Sequence, residues 1–351
     1  MDRLSALLSA EPAEILLALL SQPLFSLVIA ALVAVAWQLL ARRGATRDAS
    51  GGGVASTGLD ETIRDRYRPE RVGIRSAAVT VIAVLCLENA AATLMPPDGD
   101  TVSWWRYAAT LLAAAISLLV LLGMIALRAP SAPRRPVPLA GRRTWTTFGT
   151  RRDLYGAAVA TLALLLTTLA AGLASSPDPT GRYVWLEVPI QNTSIDPLRP
   201  WFFGWAYGVP VLLSLAVLVA VGIATLRCNA ARPFIAPETL RAERVQRSTV
   251  ASGILRIAAA ATMLSLAAAW RFIAESGTTT ALTIEGTGTY EVAWRYAEFA
   301  GMAGWAAPVI EICAFLLLIF VTGIRTPDRR PSQGESQGAG DPILSLAERD
   351  R

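Results

Sequence analysis

Lysine and histidine are both missing from this chain, so all 32 of its basic side chains are arginine. Without histidine there is no imidazole base, no histidine-ligated haem and no histidine metal site. Without lysine there is no Schiff base and no Walker-type phosphate lysine. The three cysteines, Cys86, Cys228 and Cys313, are far apart and show no CxxC spacing, so they are read as structural thiols rather than a disulfide framework. No cofactor and no metal site is predicted. Charge is scarce as well, at 17% of residues, and it is clustered.

Between the charged clusters lie apolar stretches too long and too continuous for the buried helices of a modest soluble core. The chain is 53% hydrophobic with a mean hydropathy of +0.45. Net charge is +5, but the arginines sit at the ends of apolar stretches rather than in a stripe with aromatic residues. A membrane therefore accounts for the basicity, and no nucleic-acid partner is expected.

Seven spans are predicted, at about 23–41, 74–95, 104–127, 154–174, 203–226, 254–273 and 301–324. About 20 helical residues cross a hydrocarbon core roughly 30 Å thick. Backbone polar groups in lipid must be satisfied within the chain, and the short alternating segments of a barrel are absent, so the expected fold is an all-α integral membrane protein. Segments 42–75, 128–153, 227–256 and 325–351 carry 26 of the 32 arginines. The other six are Arg3, Arg106, Arg182, Arg199, Arg271 and Arg295. The positive-inside rule makes the arginine-rich side cytoplasmic, with the N-terminus outside and the C-terminus inside. The other side carries Trp104, Trp105, Tyr183, Trp185, Trp201, Trp205, Trp270, Tyr290, Trp294 and Tyr296, an aromatic belt at headgroup level.

The remaining segments are read by composition. Residues 1–22 are an outer segment, read either as an interfacial helix or as the outer end of a long kinked first span; 42–73 is a cytoplasmic linker, Gly/Ser/Ala-rich over 44–58. A stiff proline-rich stretch covers 130–138, and the tail from 325 is disordered apart from an amphipathic piece at 342–348. Two long outer loops cover 175–202 and 274–300. The Thr-rich 278–289 part suits a short hairpin, with turn freedom at Gly286 and Gly288.

After the first span, one unit recurs three times, as hairpins over 74–127, 154–226 and 254–324. Each unit opens its second helix on an aromatic cluster, and the chain leaves it at Arg128, Arg227 or Arg325 with similar preceding residues. Similar hairpins can pack without three unrelated interfaces. They all face the same way, unlike inverted transporter repeats.

Seven residues are candidates for a substrate or ion pathway: Glu311, Glu88, Asn89, Arg106, Arg271, Arg295 and Glu298. Glu311 lies mid-span in APVIEICAF, where an ionised carboxylate is costly unless paired or hydrated. Glu88 lies about one turn from the centre of its span, with Asn89 about 100° round the helix. Arg106 and Arg271 sit near outer helix ends, each within reach of Glu88. Arg295 and Glu298 share a face. For each carboxylate the alternative is a structural ion pair, and for each arginine snorkelling to headgroups. Gly204 and Gly208 form a GxxxG, and Pro210 and Pro308 are expected to bend their helices. The string Trp294–Phe299 resembles the third-helix signature of microbial rhodopsins, matching at Arg295, Tyr296 and Glu298, but it opens the last span and the chain has no lysine to carry retinal.

Three functions stay open. A transporter, or the permease-like part of a transport system, is motivated by Glu311, Glu88 and the helix prolines. A non-catalytic accessory or scaffold subunit would dock an integral membrane protein partner or a second copy. A lipid-modifying enzyme would use outer carboxylates among Asp178, Glu187, Asp196, Glu275, Glu285 and Glu291, with Arg182, Arg199 and Arg271 for phosphate; no catalytic spacing supports it. Membrane lipids are the one partner common to all three. The arginine and alanine bias is a mark of codon use and points to a bacterial plasma membrane.

Overall fold

A computed structural model describes residues 22–47, 58–94, 101–128, 144–190, 196–279, 281–284, 288–292 and 294–323. The expected N-terminal interfacial helix, the proline-rich stretch, the C-terminal tail and most of the 44–58 linker lie outside these residues.

Seven helices are long and apolar enough to cross a membrane. They are α1 (Pro23–Arg47), α3 (Arg68–Leu94), α4 (Trp105–Leu127), α5 (Arg151–Ala174), α6 (Trp205–Ala231), α7 (Leu240–Gly277) and α8 (Ala297–Thr322). A short helix, α2 (Gly58–Arg66), precedes α3 within the stretch expected to be linker. Each expected span coincides with one long helix. The chain is thus an all-α, multi-pass membrane protein.

The side chains agree with a lipid surround. Leu94, Leu127 and Leu173 are each at least 80% exposed, and Trp37 and Trp305 about two-thirds exposed. Such surfaces bury apolar area only if hydrocarbon covers them.

Helix α7 is the axis of the bundle. It packs against α3, α4, α5, α6 and α8, and most of its residues are buried. Its membrane portion, LRIAAAATMLSLAAAW, is small on nearly every face, so neighbours approach from all sides. A methyl group at Gly253 would lie 2.8 Å from Ile74 of α3, and one at Gly304 of α8 would lie 2.9 Å from Ala274. Helix α1 packs chiefly against α8, the last helix, rather than against its neighbour in sequence.

At 38 residues, α7 is much longer than its expected span of 254–273. Its first three turns are polar and leave the apolar zone. They hold a buried ion pair, Arg247 with Glu243, that ties together Tyr67, Arg232 and Pro233. Hydropathy marks where hydrocarbon ends, not where a helix ends, so this extension escaped the sequence reading.

The loops joining the helices at the opposite end are folded. Strands β1 (Ser176–Pro177) and β2 (Tyr183–Trp185) pair antiparallel, as do β3 (Ala281–Ile284) and β4 (Gly288–Glu291), the expected hairpin. Bridges Trp185–Trp201 and Val188–Leu198 fold the first loop on itself, and Ile190–Val292 joins it to the second. Val184, Leu186, Val188, Phe202 and Phe203 are buried beneath them, a small apolar layer over the helix ends.

Candidate functional site

The charges inside the apolar zone converge at the end of the bundle that bears these loops. Glu311, on α8, is 3% exposed. Arg271, six residues before the end of α7, donates to it through two atoms, Nε to Oε1 at 2.7 Å and Nη2 to Oε2 at 2.7 Å. Ser26 of α1 donates to Oε2 at 2.7 Å. A bidentate guanidinium and a hydroxyl thus satisfy a carboxylate that would be costly alone. Arg271 was expected to be within reach of Glu88; its bidentate partner is Glu311. The geometry is cheap for the fold because Pro308 lies one turn before Glu311 and Ala274 meets Gly304, so α7 and α8 lie close at this level.

The pair forms part of the wall of a cavity of about 900 Å³. Its lining comes from α3 (Leu85, Glu88, Asn89, Ala92, Thr93), α4 (Arg106, Tyr107, Thr110), α6 (Tyr207), α7 (Leu264, Ser265, Arg271, Phe272, Glu275), α8 (Gly304, Glu311) and the loop residues Thr101, Ser103 and Trp201. Glu88 is 9% exposed, and its Oε1 is buried without a hydrogen-bond partner. Asn89 does not complete it: the Asn89 amide donates back to Leu85 O at 2.8 Å along its own helix. Arg106, in the first turn of α4, is exposed toward the cavity.

An aromatic group closes one wall. Tyr107 stacks on Phe272, with ring centroids 5.8 Å apart, and meets Tyr207 and Phe203 edge-on at 5.5 and 5.2 Å. Ser265 donates to Tyr107 O at 2.7 Å, fixing α4 on α7 beside these rings. The cavity therefore combines a firm aromatic side, a neutralised ion pair and one carboxylate with an open acceptor.

Five of the seven candidates, Glu88, Asn89, Arg106, Arg271 and Glu311, line this one cavity. The other two do not. Arg295 lies over the Tyr296 ring, 4.6 Å from its centroid, and Glu298 is exposed on the first turn of α8. Their place is the interfacial rim, where an arginine on an aromatic face is an ordinary arrangement.

Two of the outer carboxylates considered for lipid chemistry, Asp178 and Glu187, have local partners. Asp178 is buried and accepts from Thr180 N and Oγ1, from Arg182 N, and from Arg182 Nε at 2.7 Å. Enclosure opposes its charge, yet these hydrogen bonds and the guanidinium hold the carboxyl down at about 2. Glu187 meets Arg199 at 3.5 Å. Among the described residues no three His, Cys, Asp or Glu side chains gather as metal ligands.

A second polar cluster, not singled out from sequence, lies at the arginine-rich end. Arg247 is 1% exposed and donates to Tyr67 Oη at 3.1 Å, Arg232 O at 2.7 Å and Pro233 O at 2.9 Å. Its guanidinium also meets Glu243 at 3.3 Å and stacks 4.3 Å from the Phe234 ring. Glu70, likewise buried, pairs with Arg232 at 2.9 Å and Arg128 at 3.4 Å. The available signal was Glu243 four residues before Arg247, the favourable helical order. It was hidden among 26 arginines that topology already explained. Beside this cluster a hollow of about 280 Å³ is lined by Arg71, Arg75, Arg256 and Ser252, among others.

Fold and site together define a class, the polytopic helical membrane protein with a polar cavity between its helices. Comparison with family models, with curated proteins and with solved structures gives no match.

Proposed function

We propose that the chain is a transporter, or the permease-like part of a transport system, for a small polar solute that enters from the loop-bearing end. The observation that carries this reading is the 900 Å³ cavity, which gathers charged and polar side chains inside an otherwise apolar bundle. Its volume falls in the range of small-molecule sites. Intramembrane ionisable groups are expensive, and those here are collected at one place instead of being scattered.

The seam between α3, α7 and α8 supports a route. The cavity and the 280 Å³ hollow are both lined by these three helices, at opposite ends. Between them lie Ala77, Ala78, Val81, Ile257, Ala260, Ala261, Ala314 and Phe315, all buried. From Arg256 to Leu264 this apolar plug is about 12 Å deep at the helical rise. Small side chains make it a barrier that modest helix movement opens. By the positive-inside rule the cavity faces outward and the hollow faces the cytoplasm, in a bacterial plasma membrane.

Proteoliposomes loaded with tracers of neutral, cationic, anionic and zwitterionic solutes test the reading. At least one tracer is expected to cross saturably, and Glu311→Gln is expected to reduce that flux severely. Saturable flux unchanged in both Glu311→Gln and Glu311→Ala sinks the role of this site in transport. The accessory-subunit alternative draws support from the stitched outer loops, which present a folded surface; stoichiometric recovery of a membrane partner in native detergent, with no flux from the purified chain, favours it. The lipid-modifying alternative draws less support, because Asp178 and Glu187 are engaged by Arg182 and Arg199.

A further inference from the structure

Glu88 and Arg106, of opposite charge, line the cavity without being used by the fold, and Glu275 adds an exposed second carboxylate to the same wall. Glu88 lines the cavity, and its Oε1 is buried and accepts no hydrogen bond. Arg106 lines the same cavity from the next helix, and among the described residues no hydrogen bond or ion pair engages its side chain. The two share the wall of one cavity, yet no salt bridge joins them. Arg271 and Glu311 are different, since each answers the other through two short bonds.

This pattern selects a ligand chemistry. A buried carboxylate oxygen without a donor is costly, and the remedy is an N–H or O–H from outside the protein. An ammonium group brings three donors and the matching charge. Arg106 offers the complementary half, a planar fork suited to a carboxylate or phosphate. A simple cation would satisfy Glu88 and leave Arg106 free. A simple anion would do the reverse and add a negative charge beside Glu88. Resting on the reading of this cavity as a solute site, we propose that it binds a small zwitterion, its ammonium at Glu88 and its carboxylate or phosphate at Arg106. The same chemistry exists in a free amino acid and in the phosphoethanolamine headgroup of a lipid.

The test uses the purified full chain in nanodiscs of phosphatidylglycerol, with binding read by equilibrium dialysis of labelled probes. L-Alanine, γ-aminobutyrate and phosphoethanolamine are the zwitterions; propylamine and propionate carry one charge each. At least one zwitterion is expected to bind saturably, at least about tenfold more tightly than either singly charged probe, as charge-assisted bonds at both ends require. Glu88→Gln and Arg106→Gln should each weaken it about tenfold. Equal binding of a singly charged probe overturns the inference, as does absence of binding by all three zwitterions. Wild-type selectivity alone decides this if a variant does not fold. Adding phosphatidylethanolamine to the disc separates the sources: competition with phosphoethanolamine supports the headgroup form, and undiminished binding supports the free solute. Zwitterion binding without flux keeps this inference and overturns transport. Saturable flux that ignores both variants keeps transport and overturns this inference.

Discussion

At the scale of single residues, the bundle distinguishes charges it has neutralised from charges it has left open. Arg271 and Glu311 are a closed pair, so removing one partner strands the other in a low-dielectric interior. Glu311→Ala is expected to lower stability by about 3–5 kcal/mol, in the range for broken buried pairs. Replacing both, with Arg271→Met and Glu311→Leu, should recover most of that loss, as read by denaturing-detergent titration. A double variant no more stable than Glu311→Ala would show that the pair is not the source. Arg247 extends the logic to the other end. Its three N–H groups reach acceptors in three directions, which an ammonium cannot reproduce, so Arg247→Lys is expected to lower the melting temperature measurably despite its retained charge. Sequence made Glu311 and Glu88 conspicuous because a carboxylate among apolar residues has a physical cost. It could not say which of them was paired, since the partner of Glu311 is 40 residues away and Ser26 is 285 away.

At the scale of elements, close approach and local hydrogen bonding set how the loops sit on the helices. Gly204 stands just before α6, where an added methyl group would collide with the Tyr183 carbonyl oxygen and press on Ser175. Gly204→Ala is expected to cost about 1–3 kcal/mol and to loosen β2, detectable as faster amide exchange at Tyr183–Trp185. The GxxxG pattern thus had meaning, but Gly204 meets a loop; Gly208 meets α5, where a methyl would lie 2.8 Å from Thr168. Asp178 gives the same loop a pH dependence. Its carboxyl is held at about 2, below its ordinary value of 3.8, so its contribution is complete above roughly pH 4 and is lost as pH falls through about 2. Protection of the Gly181 and Arg182 amides, taken relative to their intrinsic exchange rates at each pH, should therefore fall between pH 4 and 2, and Asp178→Asn should remove that pH dependence. A flat profile in the unaltered chain would exclude the carboxyl as the support. The hairpin at β3 and β4 was readable from its threonines and glycines, whereas the Ile190–Val292 bridge joining the two loops links positions about a hundred residues apart and left no periodic trace.

At the scale of the whole molecule, the span count was readable because lipid imposes length and apolarity on every crossing segment. The seven expected spans match seven helices within a few residues, except at the ends of α1 and α6 and the starts of α3 and α7, where polar turns continue past the hydrocarbon. Packing order was not readable: composition does not say that α7 is the axis or that α1 rests on α8. Single cysteines placed in a chain lacking Cys86, Cys228 and Cys313 test the arrangement across the bilayer. In right-side-out vesicles, impermeant thiol reagents are expected to label positions 179 and 197 and to spare 145 and 237. Labelling of 145 and 237 from opposite faces would break the alternation on which the orientation rests.

The seating of α1 on α8 has a consequence for how the protein is made. Ser26 meets a carboxylate that the ribosome delivers 285 residues later. At roughly 5–20 residues per second, α1 waits on the order of 15 to 60 s in the bilayer before its partner emerges. During that interval it has only its small contact with α3, and the rest of its apolar surface faces lipid and the insertion machinery. A ribosome stalled just short of α8 would release a product whose first helix has no seat and whose Arg271 lacks its bidentate partner, a form for membrane proteases to clear.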